Sequence, residues 1–378
     1  MLVLVVPVWE INHALYKAAS KGQETVVEFL LKRDEIQINQ AANDSATPLF
    51  VAAKNGHHKV VRLLLNKDGI QINQASHNGH SPLYIAASKG HYKVVKLLLS
   101  RDEIQVNQVA DDYATPLFVA SQKGHKKVVE LLLNKDETQI NKASKFGRTP
   151  LYTAASRGHH RVVELLLHKT DCQINLGRDD GITPLYVAAY KGFHKVVDLL
   201  INKDGIQINQ ASHIGDTPLN TAASKGHHNV VELLLGKAEI QVNQESFYGV
   251  TPLFSASWYG YHSVVELLLS KGDIQVNQAS WITAATPLLA AVRSGHEKVV
   301  ALLLKKDGIQ VNHADITGQT ALTAAAHNRH GKIVEMLLRN EDVRAIGWNG
   351  WRPHRYAPYP RGRPDTRFGV SPFRKMRK

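Results

Sequence analysis

A Thr-Pro-Leu triplet returns along this chain at an almost constant interval. Seven copies, the second with Ser in place of Thr, are spaced 34 residues apart and begin at Thr47, Ser81, Thr115, Thr149, Thr183, Thr217 and Thr251. An eighth copy begins at Thr286, 35 residues after the seventh, and altered copies occupy residues 13–15 and 320–322. Ten such units predict a single stacked array in which each unit contacts only its neighbours.

Each unit contains the signals for two short helices. Thr is a good N-cap and Pro suits the first helical turn, so Thr217-Pro218 predicts a helix that ends at Gly226. The segment at 230–235 is apolar on nearly every side, which predicts a second helix covered by neighbouring units. An alternating stretch and a turn signal such as Asn78-Gly79 predict a short hairpin. The expected fold class is all-α, a helical repeat solenoid with short β-hairpin fingers.

These elements resemble the ankyrin repeat family, whose motif combines T-P-L-H-x-A-A, G-H, V-V-x-L-L and V-N before a D-G turn. The resemblance covers about residues 11–340 and implies a binding module whose concave face is lined by the finger tips and the exposed ends of the first helices. An extra residue per unit is expected in the loop after the second helix. The fourth motif position, usually His, is mostly aromatic here, which predicts a ladder of rings at Tyr16, Phe50, Tyr84, Phe118, Tyr152, Tyr186 and Phe254.

The sequence contains little that indicates an enzyme. Cys172 is the only cysteine, which excludes a disulfide framework and a Cys-rich metal module. It stands where other units have Ile, so we expect a buried and unreactive thiol. The chain contains no phosphate-binding loop, nucleophile elbow or zinc-protease motif. We therefore expect no enzymatic activity, no catalytic residues and no cofactor.

Repeated polar residues are better explained by structure than by a site. Equivalent histidines recur in seven units, about 10 Å apart in neighbouring units, whereas the ligands of one zinc ion lie about 2 Å from it. We expect them to hydrogen-bond the loops, as the resemblance implies, and we expect no metal site. Recurring asparagines such as Asn73 and Asn243 are expected to satisfy backbone groups at the base of the fingers. The histidines concerned are His57, His91, His125, His159, His227, His296 and His330.

The exposed positions that vary between units indicate where a partner could bind. The two residues before the inter-helix Gly include a cation in eight of nine units, which predicts a basic stripe along the rod. Such a stripe would favour an acidic protein segment or another polyanion, and the alternative is that these cations only keep the helices soluble. The stripe residues selected as partner-binding are Lys89, Lys123, Arg157, Lys191 and Lys225.

Two adjacent units interrupt the stripe with aromatic side chains, and the second of them contains the one-residue insertion. Exposed Trp and Tyr clusters are typical of interaction hot spots, so we expect a partner to be anchored here. The alternative is that the rings pack on one another and stabilise an irregular joint. The candidate residues are Phe247, Tyr248, Trp258, Tyr259, Tyr261, Trp281 and Ile282.

The composition changes sharply near the C-terminus. Residues 344–378 contain ten cations and one acid and so carry +9 of the formal net charge of +13. We expect residues 1–342 to form the solenoid and residues 343–378 to be a disordered basic tail. Three interpretations of the tail remain open: RNA or anionic-surface binding, nuclear import through residues 374–378, and an extension without a selected function.

The ends of the array lack the polar outer face that terminal repeats need. Either Ile346, Trp348 and Trp351 of the tail cover one end, or the chain is a segment of a longer array. The apolar run at 1–9 is interrupted by Pro7 and is too short to span a membrane.

The sequence therefore predicts a monomeric, non-enzymatic scaffold in the cytoplasm or nucleus that binds a protein partner on its concave face. The alternative is a nucleic-acid or polyanion-binding protein that uses the tail and the stripe.

Overall fold

The computed structural model describes residues 7–42 and 44–344 of the chain. These residues form ten antiparallel helix pairs, one per repeat, followed by a single helical turn. Repeats 1 to 10 are numbered here by these pairs, and the first and second helix of each repeat follow in chain order. The helices are α1 (Val8–Lys21), α2 (Glu24–Leu30), α3 (Pro48–Lys54), α4 (His58–Leu65), α5 (Pro82–Lys89), α6 (Tyr92–Leu99), α7 (Pro116–Lys123), α8 (Lys126–Leu133), α9 (Pro150–Ser156), α10 (His160–Leu167), α11 (Pro184–Lys191), α12 (His194–Ile201), α13 (Pro218–Ser224), α14 (His228–Leu235), α15 (Pro252–Tyr259), α16 (His262–Leu269), α17 (Pro287–Arg293), α18 (Glu297–Leu304), α19 (Ala321–His327), α20 (Gly331–Leu338) and α21 (Glu341–Arg344).

The Thr or Ser of the triplet begins the first helix of repeats 2 to 10. In repeat 7 the Thr217 hydroxyl accepts a hydrogen bond from the Asn220 N–H at 3.1 Å, and Pro218 occupies the first helical position. Repeat 1 has His13-Ala14 in place of this start signal. Helix α1 accordingly begins earlier, at Val8 directly after Pro7, and has 14 residues, against seven or eight in the other first helices.

One continuous apolar core runs through the stack. In α14 the side chains of Val230, Val231, Leu234 and Leu235 are buried and Leu233 is partly buried, so the helix is covered by neighbours on both sides as expected. Neighbouring first helices pack more extensively than neighbouring second helices. The first helices therefore lie on the inner side of the curved stack.

The aromatic ladder is buried except at its start. Phe50, Tyr84, Phe118, Tyr152, Tyr186 and Phe254 lie in the core, and Tyr16 is partly buried. Asn220 interrupts the series and remains buried because its polar atoms have partners. Its Nδ2 donates to the Val250 carbonyl at 2.6 Å, and its Oδ1 accepts from the Ser255 hydroxyl at 2.8 Å.

The fingers are turns, and the hairpin part of the fold prediction is not confirmed. In repeat 3 the Ser76 N–H donates to the His80 carbonyl and the Gly79 N–H to the Ser76 carbonyl. One further bond joins neighbouring fingers, from the His77 N–H to the Asp44 carbonyl at 3.1 Å. Single bonds of this kind are too few to form a ladder, so the described residues contain no β-strand.

Asparagine side chains join each finger base to the next, as the sequence predicts. The Asn73 Nδ2 donates to the Glu103 carbonyl at 2.7 Å, and its Oδ1 accepts from the Gln105 N–H at 2.9 Å. The same two bonds recur at eight successive junctions. They are made by Asn39, Asn73, Asn107, Asn141, Asn175, Asn209, Asn243 and Asn277.

No helix among the described residues is both long enough and apolar enough to cross a membrane. Residues 343 and 344 of the predicted tail belong to α21. The other predictions for the tail, including the capping by Ile346, Trp348 and Trp351, concern residues outside the described ranges.

Candidate interaction surface

Imidazole rings hold the inter-helix turns together. The His125 Nε2 lies 3.0 Å from the Ser88 carbonyl of the preceding repeat. A carbonyl can only accept, so this nitrogen carries the hydrogen. The ring also packs on Gly90, where an added β-carbon would lie 2.7 Å from Nδ1. The structural role predicted for the histidines is confirmed by the same contact at His57, His91, His159, His227, His296 and His330.

The five cations selected from the sequence are exposed, one per repeat, at the ends of the first helices in repeats 3 to 7. Lys191 and Lys225 both lie against the Tyr190 ring, with Nζ atoms 5.3 and 4.9 Å from its centroid. Lys89, Lys123 and Arg157 take part in no ion pair among the described residues. Their charges therefore remain available at the surface.

Arg293 departs from the stripe because its guanidinium turns towards the next finger. It forms an ion pair with the buried Asp315 and donates to the Gln319 Oε1 at 3.0 Å. Burial alone would raise the pKa of Asp315, but the hydrogen bonds from Thr317, Arg293 and the Gln319 N–H outweigh it and lower that pKa. Arg293 thus fastens repeat 9 to repeat 10.

Two of the predicted anchoring rings are part of the packing of the stack. Trp258 is partly buried and stacks on Phe254, with ring centroids 6.4 Å apart and planes inclined by 10°. Tyr261 takes the place of the turn histidine and covers Gly226, where a β-carbon would lie 2.5 Å from its ring. Tyr259 is exposed, and its ring centroid lies 6.2 Å from that of Tyr261.

The finger residues of the predicted cluster are exposed and form one line with two residues that the sequence analysis missed. The Phe247 N–H donates to the Ile214 carbonyl, and the Trp281 N–H to the Tyr248 carbonyl, both at 3.1 Å. In the next finger, the Ile316 N–H donates to the Thr283 carbonyl at 3.0 Å. We call this line the apolar fingertip row; it consists of Ile214, Phe247, Tyr248, Trp281, Ile282 and Ile316, with exposed fractions between 36% and 54%.

The aromatic members of the row are held by the glycines of the preceding fingers. Phe247 covers Gly215 and Trp281 covers Gly249, both at positive φ, and an added β-carbon would collide with either ring. The insertion lies in the finger that carries Trp281 and Ile282. There Ala284 adopts a φ of 51° and its N–H donates to the Ser280 carbonyl at 2.8 Å. The lengthened finger is therefore ordered by its own hydrogen bonds.

The finger tips of the earlier repeats have a different character. Their exposed residues include carboxylates, such as Asp111 and Asp112, and two separate rings, Tyr113 and Phe146. Asp180 of repeat 6 is paired with Arg178 at 2.9 Å. Contiguous apolar exposure therefore begins at the finger of repeat 7.

Cys172 is partly buried against the core. Burial raises the pKa of its thiol to about 12, and the neighbouring Asp171 adds to the effect. The thiol is protonated at neutral pH and a poor nucleophile, as the sequence predicts. The described residues contain no group of three or more His, Cys, Asp or Glu side chains arranged to hold a metal ion.

A family model for ankyrin repeats, built from three copies of the repeat, matches residues 9–76, 69–144, 117–212, 208–280 and 273–346. Together these matches cover most of the chain, which therefore belongs to the ankyrin repeat family. Members of this family generally act as protein–protein interaction modules. No curated protein sequence matches the chain.

Proposed function

We propose that this protein is a non-enzymatic scaffold that binds a protein partner across its concave face, anchored at the apolar fingertip row. The row itself carries the proposal. Six exposed apolar side chains lie in four successive fingers whose backbones are hydrogen-bonded to one another, and grouped apolar exposure of this kind marks interaction sites. Large rings such as Trp281 and Phe247 are the residue types that dominate binding energy at interfaces.

The rigidity of the row favours this role. The rings of Phe247 and Trp281 rest on glycines, and the finger backbones are bonded to one another and to the asparagine ladder. Side chains that are held in place before binding lose little conformational entropy when a partner covers them. Within the predicted cluster, Trp258 packs on Phe254 and Tyr261 on Gly226 within the stack, while Tyr259 and the finger residues supply contact area.

The cations of repeats 3 to 7 contribute to partner choice. Lys89, Lys123, Arg157, Lys191 and Lys225 lie at the C-terminal ends of the first helices in repeats 3 to 7, whereas the fingertip row lies in the fingers of repeats 7 to 10. Exposed charges of one sign accelerate encounter with oppositely charged partners more than they add to affinity. The preferred partner therefore has an acidic segment beside its apolar anchor. We further propose that it acts as a monomer inside the cell, in the cytoplasm or the nucleus, which the single cysteine supports.

The proposal is tested by removing two rings of the row. The variant Phe247→Ala/Trp281→Ala should lose the protein captured by the full-length chain while keeping its helical content. A photoreactive amino acid in place of Ile282 should cross-link to the same protein, whereas one in place of Glu266, on the exposed side of α16, should not.

The matched control is Tyr113→Ala/Phe146→Ala, which removes two equally exposed rings from earlier fingers. This variant should still capture the partner. Equal capture by both double variants, or cross-linking from position 266 alone, would show that the fingertip row is not the binding surface.

A further inference from the structure

The inter-helix turns of repeats 2 to 7 form a second charged feature that is wider than the five selected cations. These turns occupy residues 54–59, 88–93, 122–127, 156–161, 190–195 and 224–229 and contain no acidic residue. We call this set the turn strip. Its twelve cations are Lys54, Lys59, Lys89, Lys93, Lys123, Lys126, Lys127, Arg157, Arg161, Lys191, Lys195 and Lys225.

The strip is regular because its turns are fastened to one another. Each ring of His57, His91, His125 and His159 reaches a first-helix carbonyl of the preceding repeat at 3.0 to 3.1 Å. The cations therefore follow the repeat at steps of about 10 Å, the usual distance between packed helices. Two parallel rows result, one at the ends of the first helices and one at the starts of the second helices.

The charges of the strip are largely uncompensated by other residues that the structure describes. Of its twelve cations, only Lys59 forms an ion pair there, with Glu24 of repeat 1 at 3.2 Å. The nearest acids along the second helices, such as Glu130 and Glu164, lie about one helical turn beyond the strip and pair with none of its cations. A surface with one sign of charge and no internal partners creates a potential that attracts an extended anion.

The spacing of the strip fits a polypeptide. About three residues of an extended or polyproline II chain cover the step of about 10 Å between turns, since each residue advances by about 3.1 to 3.3 Å. A segment with an acidic residue in every three could therefore meet each turn in register. Six turns correspond to a segment of about 18 residues by the same arithmetic.

The rings within the strip favour a polypeptide over a nucleic acid. Single-stranded nucleic acids bind by stacking bases on open aromatic faces. The Lys127 Nζ lies 5.0 Å from the Tyr92 ring centroid, and the Tyr190 ring has Lys191 and Lys225 beside it. These cations occupy the ring faces that bases would need.

We propose that the turn strip binds an extended acidic segment of a polypeptide, which rests on the proposed function because it specifies the chemistry of the protein partner. The strip ends in repeat 7, because the corresponding turn of repeat 8 has Tyr259 at the position of Lys225 and contains no cation. A partner that occupied both surfaces would therefore carry its acidic segment on one side of its apolar anchor.

The test measures binding of a fluorescent peptide of 18 residues, with Glu at every third position among Gly and Ser, to the full-length chain by fluorescence anisotropy. The variant Lys89→Gln/Lys123→Gln/Lys195→Gln should weaken this binding by about tenfold, as expected for the loss of three exposed pairs. The control Lys142→Gln/Lys169→Gln/Lys305→Gln removes the same charge at exposed positions outside the strip and should bind as the unaltered chain does.

Two further arms separate the alternatives. An oligonucleotide of equal charge should bind more weakly than the peptide, and tighter binding of the oligonucleotide would overturn the inference. Equal weakening by both lysine variants would also overturn it, because net charge alone would then explain the binding. The variant Phe247→Ala/Trp281→Ala should keep its affinity for the peptide, so a failure of the fingertip row and a failure of the strip give different results.

Discussion

Trp281 lies directly on Gly249 of the preceding finger, so closely that a β-carbon at residue 249 would collide with the indole. Gly249 also has a φ of +69°. Ring position and finger conformation are therefore set together, and the contact gives the row its fixed shape.

Gly249→Ala should displace Trp281 and weaken partner binding. The control is Gly205→Ala, because Gly205 has a φ of +79° but no atom within 4 Å of an added β-carbon. Gly205→Ala should lose about 1 kcal/mol from backbone strain, and Gly249→Ala should lose more because its β-carbon would also meet the ring and the backbone nitrogen of Trp281; urea unfolding measures both. Only Gly249→Ala should also lose partner binding; equal binding by the two variants would show that the position of the indole is unimportant.

Trp258 and Trp281 should respond differently to truncation. Trp258→Ala is expected to cost about 2–3 kcal/mol, because the ring is partly buried and stacked on Phe254. Trp281→Ala should change the unfolding free energy by less than about 1 kcal/mol, because about half of the ring is already exposed to solvent. Urea unfolding of the two variants checks this, and the reverse order of stabilities would contradict the assignment of Trp258 to the packing.

His125 can be replaced by a ring of similar shape. Phe193 and Tyr261 occupy the equivalent position over Gly158 and Gly226, so ring packing suffices there. His125→Phe is expected to cost about 1 kcal/mol for the lost hydrogen bond to Ser88. His125→Ala should cost about 2 kcal/mol or more because it also leaves a gap. If the two variants unfolded at the same urea concentration, the hydrogen bond would be the main contribution.

Asp216 makes stability depend on pH. Burial raises its pKa to about 6 from 3.8, so the folded state keeps a proton that the unfolded chain releases between these values. The charged form therefore destabilises the fold above about pH 6, and the penalty disappears as the pH falls to about 4. Asp216→Asn should stabilise the protein by about 1–3 kcal/mol near pH 7.5 and have little effect near pH 3.5.

Thermal unfolding across this range measures the effect. Asp204→Asn serves as the control, because it removes one carboxylate from an exposed position and should change the unfolding temperature little. If Asp216→Asn stabilised the protein as much near pH 3.5 as near pH 7.5, the stabilisation would not come from removing the charge of the carboxylate.

The basic tail should be dispensable for capture of the protein partner. A chain ending at residue 344 is expected to retain the same protein as the full-length chain, with or without nuclease and at moderate salt. If only the full-length chain captured material, and nuclease or salt removed it, the nucleic-acid alternative would be supported, because phosphate binding weakens steeply with salt.

Local signals in the sequence explain how much of this fold can be predicted. Thr217-Pro218 begins a helix, Gly226 ends it, and His57 and Asn73 recur wherever a junction needs their hydrogen bonds. Each of these features depends on a few neighbouring residues or on one adjacent repeat. The residues that form them therefore recur with the period of the repeat and can be recognised in the sequence.

Contacts between loops far apart in the sequence were less visible. Trp258 of α15 packs on Phe254 and Trp281 of a finger is exposed, yet both are predicted from the sequence alone to be exposed aromatic residues. Ile214 and Ile316 were missed because each is the only exposed apolar residue of its finger. An alignment of the fingers would have indicated them, since Ile214 occupies the position of Tyr248 and Ile316 that of Phe247. The pairing of Arg293 with Asp315 likewise depends on a finger that follows a separate helix pair.

The asparagine ladder makes eight junctions between repeats alike at the finger base. Because the same two bonds recur from Asn39 to Asn277, the finger bases that they join match one another. The repeats therefore follow one another at a constant step of about 10 Å. Removing or duplicating a whole repeat between the basic turns and the apolar finger tips would change the distance between them by one such step, and the asparagine bonds at the new junction would be the same.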